Sequence, residues 1–404
     1  MERLLRSFRP NSLPALAMLS AGAIAMLAIL PTRNAAASET RGYVVSLFTN
    51  AAYSTKDDCR DGVDPYHVQQ LTEELVALGM SRAKAEKTLE VYENGGPEAA
   101  AARDMITNRG RVNGKPVNAY VNPAAVIDPK LHWVIGHYAY GFNLDGRGAD
   151  SPNSFEDPVT HEKGVNNQLF RVFGCANDFR GPPATLSTPS FYTVEWSTLR
   201  PSFPAWLITI SGADLSKDGP VTIDITRSLD HVLLNAQGNT ESNATFRIDP
   251  DPRSHNVFAG QIKDGIVTLT DHHDLHLLGD PVLVSRLDLS HTHLRLTLKS
   301  DGDADGIIGG YQPWMEIFAP IGHGAINFEQ GQAGVDIPGL YWALRNLADA
   351  DPDPRTGQNQ SISTAWAIEA VPAFIVTAQG TALPAPVQMT LANKPQRSSA
   401  PGSP

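Results

Sequence analysis

Apolar residues alternate with polar ones along much of the second half of the chain. Segments 221–226 and 294–299 both follow this two-residue period, which is typical of strands with one buried face. Between them, Ile262 and Ile266 flank Lys263-Asp264-Gly265, and Asp-Gly is a strong signal for a tight β-hairpin. The long helical crossovers that parallel sheets need are missing here. The pattern therefore predicts a mainly β fold, an antiparallel sandwich or barrel-like sheet domain.

Helical periodicity is confined to two places. Leucines recur at spacings of four and three from Leu71 to Leu78, and Ser81 is placed to cap a second helix. These features predict a small N-terminal helical hairpin within residues 65–94. One late helix is predicted over residues 338–347.

The first residues of the chain resemble a secretory leader. Arg3, Arg6 and Arg9 precede an apolar run over 15–30, and small residues at 35–37 match a signal-peptidase site. The alternative is an uncleaved anchor, but the apolar run is shorter than the roughly 20 residues that span a bilayer. We therefore predict cleavage after Ala37, export to the periplasm or the exterior, and a mature chain without a transmembrane segment.

The patterns divide the chain into four parts. Residues 1–37 are the predicted signal peptide, and residues 38–130 are an N-terminal segment with a strand at 43–48 and the helical hairpin. Residues 131–379 are the predicted antiparallel β domain. Residues 380–404 are rich in Ala, Pro, Ser and Gln without periodicity, which is typical of a disordered tail.

The charge balance narrows the choice of partners. The whole chain carries 32 Lys and Arg against 43 Asp and Glu, a net charge of −11. The predicted signal peptide holds four of the Arg and one of the Glu, so the mature chain has a net charge of −14. Nucleic-acid binding needs a basic surface that releases counterions, so this acidity argues against a nucleic-acid partner.

The only two cysteines, Cys59 and Cys175, both belong to the predicted mature chain. Thiols of an exported protein mature in an oxidising compartment, where two cysteines usually pair. We therefore predict a Cys59–Cys175 disulfide. The alternative is two separate buried thiols.

Two blocks of sequence carry a resemblance to other proteins. The block EKGVNNQLF at 162–170, which runs on to Cys175, and the block GGYQPW at 309–314 resemble blocks in large groups of uncharacterised exported bacterial proteins. The resemblance extends over most of the mature chain. It implies export and brings no known activity with it.

No sequence motif names a reaction. The Gly-x-Ser-x-Gly elbow of serine hydrolases is absent. Short matches to serine β-lactamases occur at 81–84, 120–122 and 355–357, but the last follows a loop rich in Pro and Asp instead of lying on a strand. The chain is therefore interpreted as leaning away from an enzyme.

Three other groups of residues could carry chemistry. Histidines could hold zinc or copper, acidic residues could pair as in glycosidases, and aromatic residues could stack on a sugar. Each group also has an ordinary interpretation, as solvated histidines, surface acids or core aromatics. The histidines are His272, His273, His276, His291 and His293; the acids are Glu156, Asp157, Glu162, Glu316 and Glu369; the aromatics are Tyr138, Tyr140, Phe142, Tyr311 and Trp314.

The most specific motif is an acidic turn. Asp301, Asp303 and Asp305 alternate before Gly306, as in the first half of a calcium loop, and Ile307 would add its carbonyl oxygen. The bidentate Glu that ends such loops is missing, and a plain solvated turn is the alternative. Calcium is thus the one cofactor that the sequence predicts, at Asp301, Asp303, Asp305 and Ile307.

These observations predict an exported β-rich protein that serves as a binding or structural component of the cell envelope, with a glycan or protein partner. Tyr311 and Trp314 are the predicted ligand-binding residues. The alternative is an envelope hydrolase that cuts glycan or ester bonds through carboxylates. A hydrolase should bring acids with shifted pKa values together, whereas a binding protein should expose an aromatic surface. The oligomeric state does not follow from the sequence.

Overall fold

Strands form most of the regular structure in the computed structural model of the protein. The structure describes residues 38–59, 62–63, 67–176, 179–180, 196–279, 286–322 and 335–383. The strands are β1 (Glu39–Asn50), β2 (Gly110–Val112), β3 (Lys115–Val117), β4 (Phe155–Glu156), β5 (Lys163–Val165), β6 (Pro204–Gly212), β7 (Gly219–His231), β8 (Ala244–Arg247), β9 (His255–Lys263), β10 (Ile266–Leu269), β11 (Leu275–Leu278), β12 (Arg286–Leu298), β13 (Ala304–Pro313), β14 (Ala350–Pro352) and β15 (Asn359–Val376). The helices include α1 (His67–Ala77), α2 (Arg82–Asn94), α3 (Ala99–Thr107), α4 (Gln168–Phe173), α5 (Trp314–Gly322) and α6 (Ile337–Leu347). The predicted signal peptide and residues 384–404 of the predicted tail lie outside the described residues.

The main sheet closes on itself as a barrel. Its strand order is β1-β6-β7-β9-β10-β12-β13-β15, and β15 pairs again with β1, so the eight antiparallel strands form a closed ring. β14 extends the sheet beside β15, β11 pairs with β12, and β8 pairs in parallel with the end of β15. The predicted mainly β, antiparallel fold is confirmed, in its barrel form.

The hairpin between β9 and β10 turns where the sequence predicts it. Lys263 and Ile266 are partners in the ladder, so the loop is Asp264-Gly265 alone. The backbone φ angles of Asp264 and Gly265 are 52° and 77°. Two successive positive φ angles match the twist of the flanking strands, and Asp and Gly are the residues that tolerate them best.

Aromatic rings fill part of the barrel interior. The ring of Phe48 lies 4.9 Å from that of Trp366, 5.1 Å from Trp206 and 5.6 Å from Trp196, measured between centroids. Inward-facing aliphatic side chains of all eight strands join the same core. An eight-stranded barrel is just wide enough for side chains to fill, so this interior is a packed core.

The helices α1, α2 and α3 share a smaller core of their own. Leu71 and Leu75 of α1, Leu89 of α2 and Ile106 of α3 are all buried together. Ser81 directly precedes α2, although its side chain makes no capping hydrogen bond. The predicted late helix, residues 338–347, lies within α6. Among the described residues, no helix is long and apolar enough to cross a membrane.

Cys59 and Cys175 form the predicted disulfide, which joins residues 116 positions apart. Cys175 is buried with Val134 and Phe170. Nη1 of Arg180 lies 3.1 Å from the Cys59 sulfur and donates to the carbonyl oxygen of residue 174 at 2.6 Å. The disulfide therefore ties the loop after β1 to the end of α4.

Candidate functional site on the outer face of the barrel

The candidate site lies outside the barrel, because side chains fill its interior. Residues 137–147, here called the crossing segment, lie over the outward side of β12 and β13. Phe142 anchors this segment by packing on Ile307, which points outward from β13. A Cβ atom on Gly309 would lie 3.1 Å from Cδ2 of Phe142 and 2.5 Å from the carbonyl oxygen of Thr364. Glycine at 309 is what lets the ring approach the strand.

Two buried asparagines of the block at 162–170 position the crossing segment. Oδ1 of Asn166 accepts hydrogen bonds from the backbone N–H groups of residues 144–145 at 2.9 and 3.3 Å. Nδ2 of Asn167 donates to the carbonyl oxygen of Tyr140 at 2.8 Å. A buried side-chain amide that satisfies backbone groups fixes the path of the chain, so these residues define where the crossing segment runs.

Three tyrosines meet where the crossing segment begins. The centroids of Tyr53 and Tyr140 are 5.6 Å apart in an edge-to-face arrangement, and those of Tyr53 and Tyr138 are 6.4 Å apart. Tyr138 is 44% exposed, whereas Phe142, another predicted stacking residue, is only 8% exposed. We call Tyr53, Tyr138 and Tyr140 the tyrosine patch.

A buried ion pair lies beside the tyrosine patch. Nη2 of Arg295 is 2.6 Å from Oδ2 of Asp157, whose side chain is fully buried while that of Arg295 is 20% exposed. Burial is the main cause that raises the pKa of Tyr140, and the nearby Tyr53 and Asp157 raise it further. The ion pair and the tyrosines are therefore neighbours. The guanidinium group of Arg295 also lies over the ring of Phe142, 5.7 Å from its centroid.

The two carboxylates near Arg295 have pKa values shifted in opposite directions. Burial alone would raise the pKa of Asp157, but hydrogen bonds from backbone N–H groups and from Arg295 lower it. Burial, opposed by Arg295 and reinforced by Asp157, raises the pKa of Glu162. Asp157 is thus held as an anion, while Glu162, at the surface, takes up a proton more readily. Opposite shifts in a pair of acids are typical of acid–base sites.

Histidine rings stack on the same outer face. The centroids of His272 and His293 are 3.8 Å apart with nearly parallel planes, and His293 lies 5.3 Å from the ring of Phe142. Burial, with the neighbouring His272 and His291, lowers the pKa of His293 to about 4, so this imidazole is neutral at pH 7. Its environment favours a neutral hydrogen-bonding group over a cation.

The structure separates the other predicted histidine ligands. His273 stacks on Phe258 at 4.0 Å, and Nδ1 of His276 lies 3.0 Å from Oδ1 of Asp288. In the described part of the chain, no group of three or more His, Cys, Asp or Glu side chains is arranged to hold a metal ion.

A second polar group lies where the crossing segment ends. Both carboxylate oxygens of Asp349 accept hydrogen bonds from Ser363, from its N–H at 2.7 Å and its hydroxyl at 2.8 Å. The Asp349 residue is exposed at the surface, yet protein surrounds its carboxylate. This burial, opposed by Ser363 and reinforced by Asp145, raises the pKa of Asp349 to about 6.

Tyr311 completes this second group. Burial, together with Asp349 and Asp145, raises the pKa of its hydroxyl. We call Asp145, Asp349 and Tyr311 the acidic recess. The N–H of Gln168, at the start of α4, donates to the Ser363 hydroxyl at 2.9 Å and so helps to orient Asp349.

The two predicted ligand-binding aromatics lie in different environments. Tyr311 belongs to the acidic recess, with its ring 6.2 Å from that of His291. Trp314 is 4% exposed and belongs to the main core, where its Nε1 donates to the carbonyl oxygen of Asn359. Of the two, Tyr311 is the one placed to meet a ligand on the outer face.

The predicted calcium residues are divided between a turn and a strand. Asp301 and Asp303 lie in the turn between β12 and β13, where Oδ1 of Asp301 accepts from the N–H of Asp303. Asp305 and Ile307 lie within β13, and Nζ of Lys299 is 2.9 Å from Oδ2 of Asp305. Within the described residues, the three carboxylates do not form such a metal-holding group, and calcium binding at this turn stays a prediction.

Sequence reasoning missed Tyr53, Asp145 and Arg295. Tyr53 and Asp145 lie in irregular segments without a motif, and Arg295 resembles any exposed position of an alternating strand. One sequence signal could have identified Arg295 as a site residue. It follows His293 by two residues and therefore lies on the same face of β12.

No protein-family model, no curated protein and no solved structure matches this chain. Its function is therefore inferred from the residues on the outer face of the barrel.

Proposed function

We propose that the protein is an exported binding component of the cell envelope and that the outer face of its barrel binds a glycan. The tyrosine patch carries this proposal, because exposed Tyr138 lies beside two further tyrosines and the Arg295–Asp157 ion pair. An aromatic ring offers a flat apolar surface, and the partly exposed Arg295 can donate strong hydrogen bonds to hydroxyls, while buried Asp157 holds it in place. A sugar presents both kinds of surface.

The position of the tyrosine patch supports ligand binding on the outer face of the barrel. The barrel interior is occupied by core side chains, so a ligand of the barrel has to approach from its outer face. The acidic recess, which follows the tyrosine patch along the crossing segment, would supply further hydrogen-bond acceptors from Asp145 and Asp349.

Export is part of the same proposal. The Cys59–Cys175 disulfide supports it, because structural disulfides persist mainly in oxidising compartments. N-terminal sequencing of the protein recovered from the periplasm or the medium should begin at Ser38. Recovery only from the cytoplasm with residues 1–37 still attached would contradict this part of the proposal.

Glycan binding is tested by calorimetric titration with soluble neutral, amino and acidic oligosaccharides. Tyr138→Ala should weaken binding about tenfold or more, because an aromatic contact that buries apolar surface is lost. Trp133→Ala is the matched control, since Trp133 is 48% exposed and should not affect affinity. Absence of binding, or equal loss in both variants, would reject the proposal.

A specific observation favours a second candidate, an envelope hydrolase. With its pKa raised to about 6, Asp349 keeps its proton at mildly acidic pH and has Asp145 as a neighbouring carboxylate. Incubation with purified envelope polysaccharide should then release reducing ends, and Asp349→Asn should abolish this release while Asp351→Asn does not. No release by the parent protein would exclude this candidate for that polymer.

Calcium at the turn between β12 and β13 is a separate proposal. Its support is the run Asp301, Asp303 and Asp305 in one short segment. The ion would stabilise the turn instead of taking part in glycan binding.

A further inference from the structure

A second groove lies on the outer face of the barrel, on strands β1, β6, β7 and β9. Its volume is about 850 Å³, within the usual range for small-molecule sites. Ser38 and Leu383, the first and last described residues, both lie at its edge. We call this site the terminal groove.

Polar side chains form the floor of the terminal groove. The hydroxyls of Thr40 and Ser211 share a hydrogen bond of 2.9 Å. Thr209 and Asp224 are direct cross-strand partners between β6 and β7. Thr209 is only 8% exposed, and its hydroxyl has no hydrogen-bond partner among the described residues. A buried hydroxyl without a partner is uncommon and calls for an explanation.

Asp224 is the centre of this floor. Its Oδ2 lies 3.2 Å from Nδ1 of His255, and its Oδ1 has no partner within the described chain. A carboxylate offers about four acceptor positions, so one contact leaves it under-satisfied. Oδ1 itself is buried, whereas 22% of the side chain is exposed and lines the groove. His255 is held in place by the carbonyl oxygen of Asp249, 2.9 Å from its Nε2.

The walls of the terminal groove are apolar. Ile248, Val376 and Leu383 line it, together with Phe374, which is 61% exposed. An exposed phenylalanine at the mouth of a cavity, next to further aliphatic side chains, is a typical feature of a binding surface. The groove thus combines an apolar wall with a floor that accepts hydrogen bonds.

We propose that the terminal groove binds an amphipathic molecule with an alkylammonium head, which donates hydrogen bonds. The head binds the exposed part of Asp224, and the alkyl chain packs on Phe374 and the aliphatic wall. An anionic head such as a fatty carboxylate is disfavoured, because it would face the Asp224 carboxylate. This site lies on other strands than the tyrosine patch and does not depend on the glycan proposal.

The experiment is a calorimetric titration of the full chain with decylamine, 1-decanol and decanoate, three probes with one chain length and different heads. We expect decylamine to bind most tightly, decanol more weakly, and decanoate at least about tenfold more weakly than decylamine. Asp224→Asn should lower the affinity for decylamine about tenfold and remove the difference from decanoate. Asp218→Asn is the matched control, because Asp218 is exposed just before the same strand begins and should leave all three affinities unchanged.

A second variant tests the groove itself. Val257 is the β9 partner of Asp224 and lines the groove, so Val257→Trp should fill it and abolish binding of all three probes. Circular dichroism and thermal melting confirm that each variant is folded. Failure of decylamine to bind, equal binding of decanoate, or unchanged affinity in Asp224→Asn would each overturn the proposal. Binding seen only after removal of residues 384–404 would show that the chain's own end occupies the groove, and would overturn it too.

Discussion

Arg109 and Asp336 form an ion pair in which neither side chain reaches solvent, with Nη2 and Oδ1 2.6 Å apart. The other carboxylate oxygen of Asp336 accepts from the N–H of Gly339 at 2.7 Å and so caps α6. Nε of Arg109 also contacts Glu74 of α1, whose pKa is raised well above its usual value by burial and then by Asp336. One guanidinium therefore joins the N-terminal helices to the late helix.

The first prediction concerns this ion pair. Arg109→Leu leaves two buried carboxylates without their cation, so the free energy of unfolding should fall by about 3–5 kcal/mol in urea denaturation. Arg82→Leu is the control, because Arg82 pairs with Glu73 at the surface and should have little effect. Similar stability of the two variants would contradict the role given to Arg109.

The second prediction concerns the pKa of Asp349. Since folding raises this pKa to about 6 from an unfolded value of about 3.9, the folded state binds the proton more tightly. The contribution of Asp349 to the free energy of unfolding should be fully present below about pH 4 and should be lost as pH rises through about 6. Asp349→Asn should remove this part of the pH dependence.

A carboxyl carbon titration by NMR measures the Asp349 pKa directly. Asp351→Asn is the control and should leave the pKa of Asp349 raised. A midpoint near 4 for Asp349 would remove the basis of the hydrolase alternative.

The third prediction concerns the disulfide. Replacing both cysteines, Cys59→Ala with Cys175→Ala, should cost about 2–5 kcal/mol of unfolding free energy, because a long loop is no longer closed in the unfolded chain. Dithiothreitol should lower the melting temperature of the parent and leave that of the double variant unchanged. Free thiols found in the unfolded, non-reduced parent would contradict the pairing.

The fourth prediction concerns the fit of the crossing segment. Gly309→Ala places a methyl group against Phe142 and a backbone oxygen, so it should cost about 1–3 kcal/mol and disturb the tyrosine patch. Gly219→Ala meets nothing within 4 Å and should be nearly neutral. Thermal melting of both variants checks this, and equal melting temperatures would mean that both Phe142 and the backbone around Thr364 can shift at little cost.

The fifth prediction concerns calcium. If the acidic turn binds the ion, millimolar calcium should raise the melting temperature, because a ligand of the folded state stabilises it by mass action. Asp303→Ala should lose this shift, whereas Asp353→Ala, in another acidic turn, should keep it. No shift in the parent would identify the Asp301–Asp305 segment as a plain turn.

Several elements followed from local pattern alone. The alternation at 221–226 lies in β7, that at 294–299 lies in β12 except for its last residue, and the Asp264-Gly265 turn joins β9 to β10. Each is determined by neighbours a few residues away, whose side-chain directions a period of two sets directly. Trp314 was different: its aromatic character is compatible with sugar stacking as well as with the core, and only its burial identifies it as core.

By itself, then, the sequence determined the class of fold, the positions of several strands and the cysteine pair. The tertiary structure decided that the sheet closes through β1 and β15, and that Tyr53 meets Tyr138 and Asp349 meets Asp145. Such contacts join residues far apart in the chain, and they depend on which strands pair and how the core fills. Local hydrophobic period specifies which way a side chain points, but the partner it meets depends on the packing of the whole barrel.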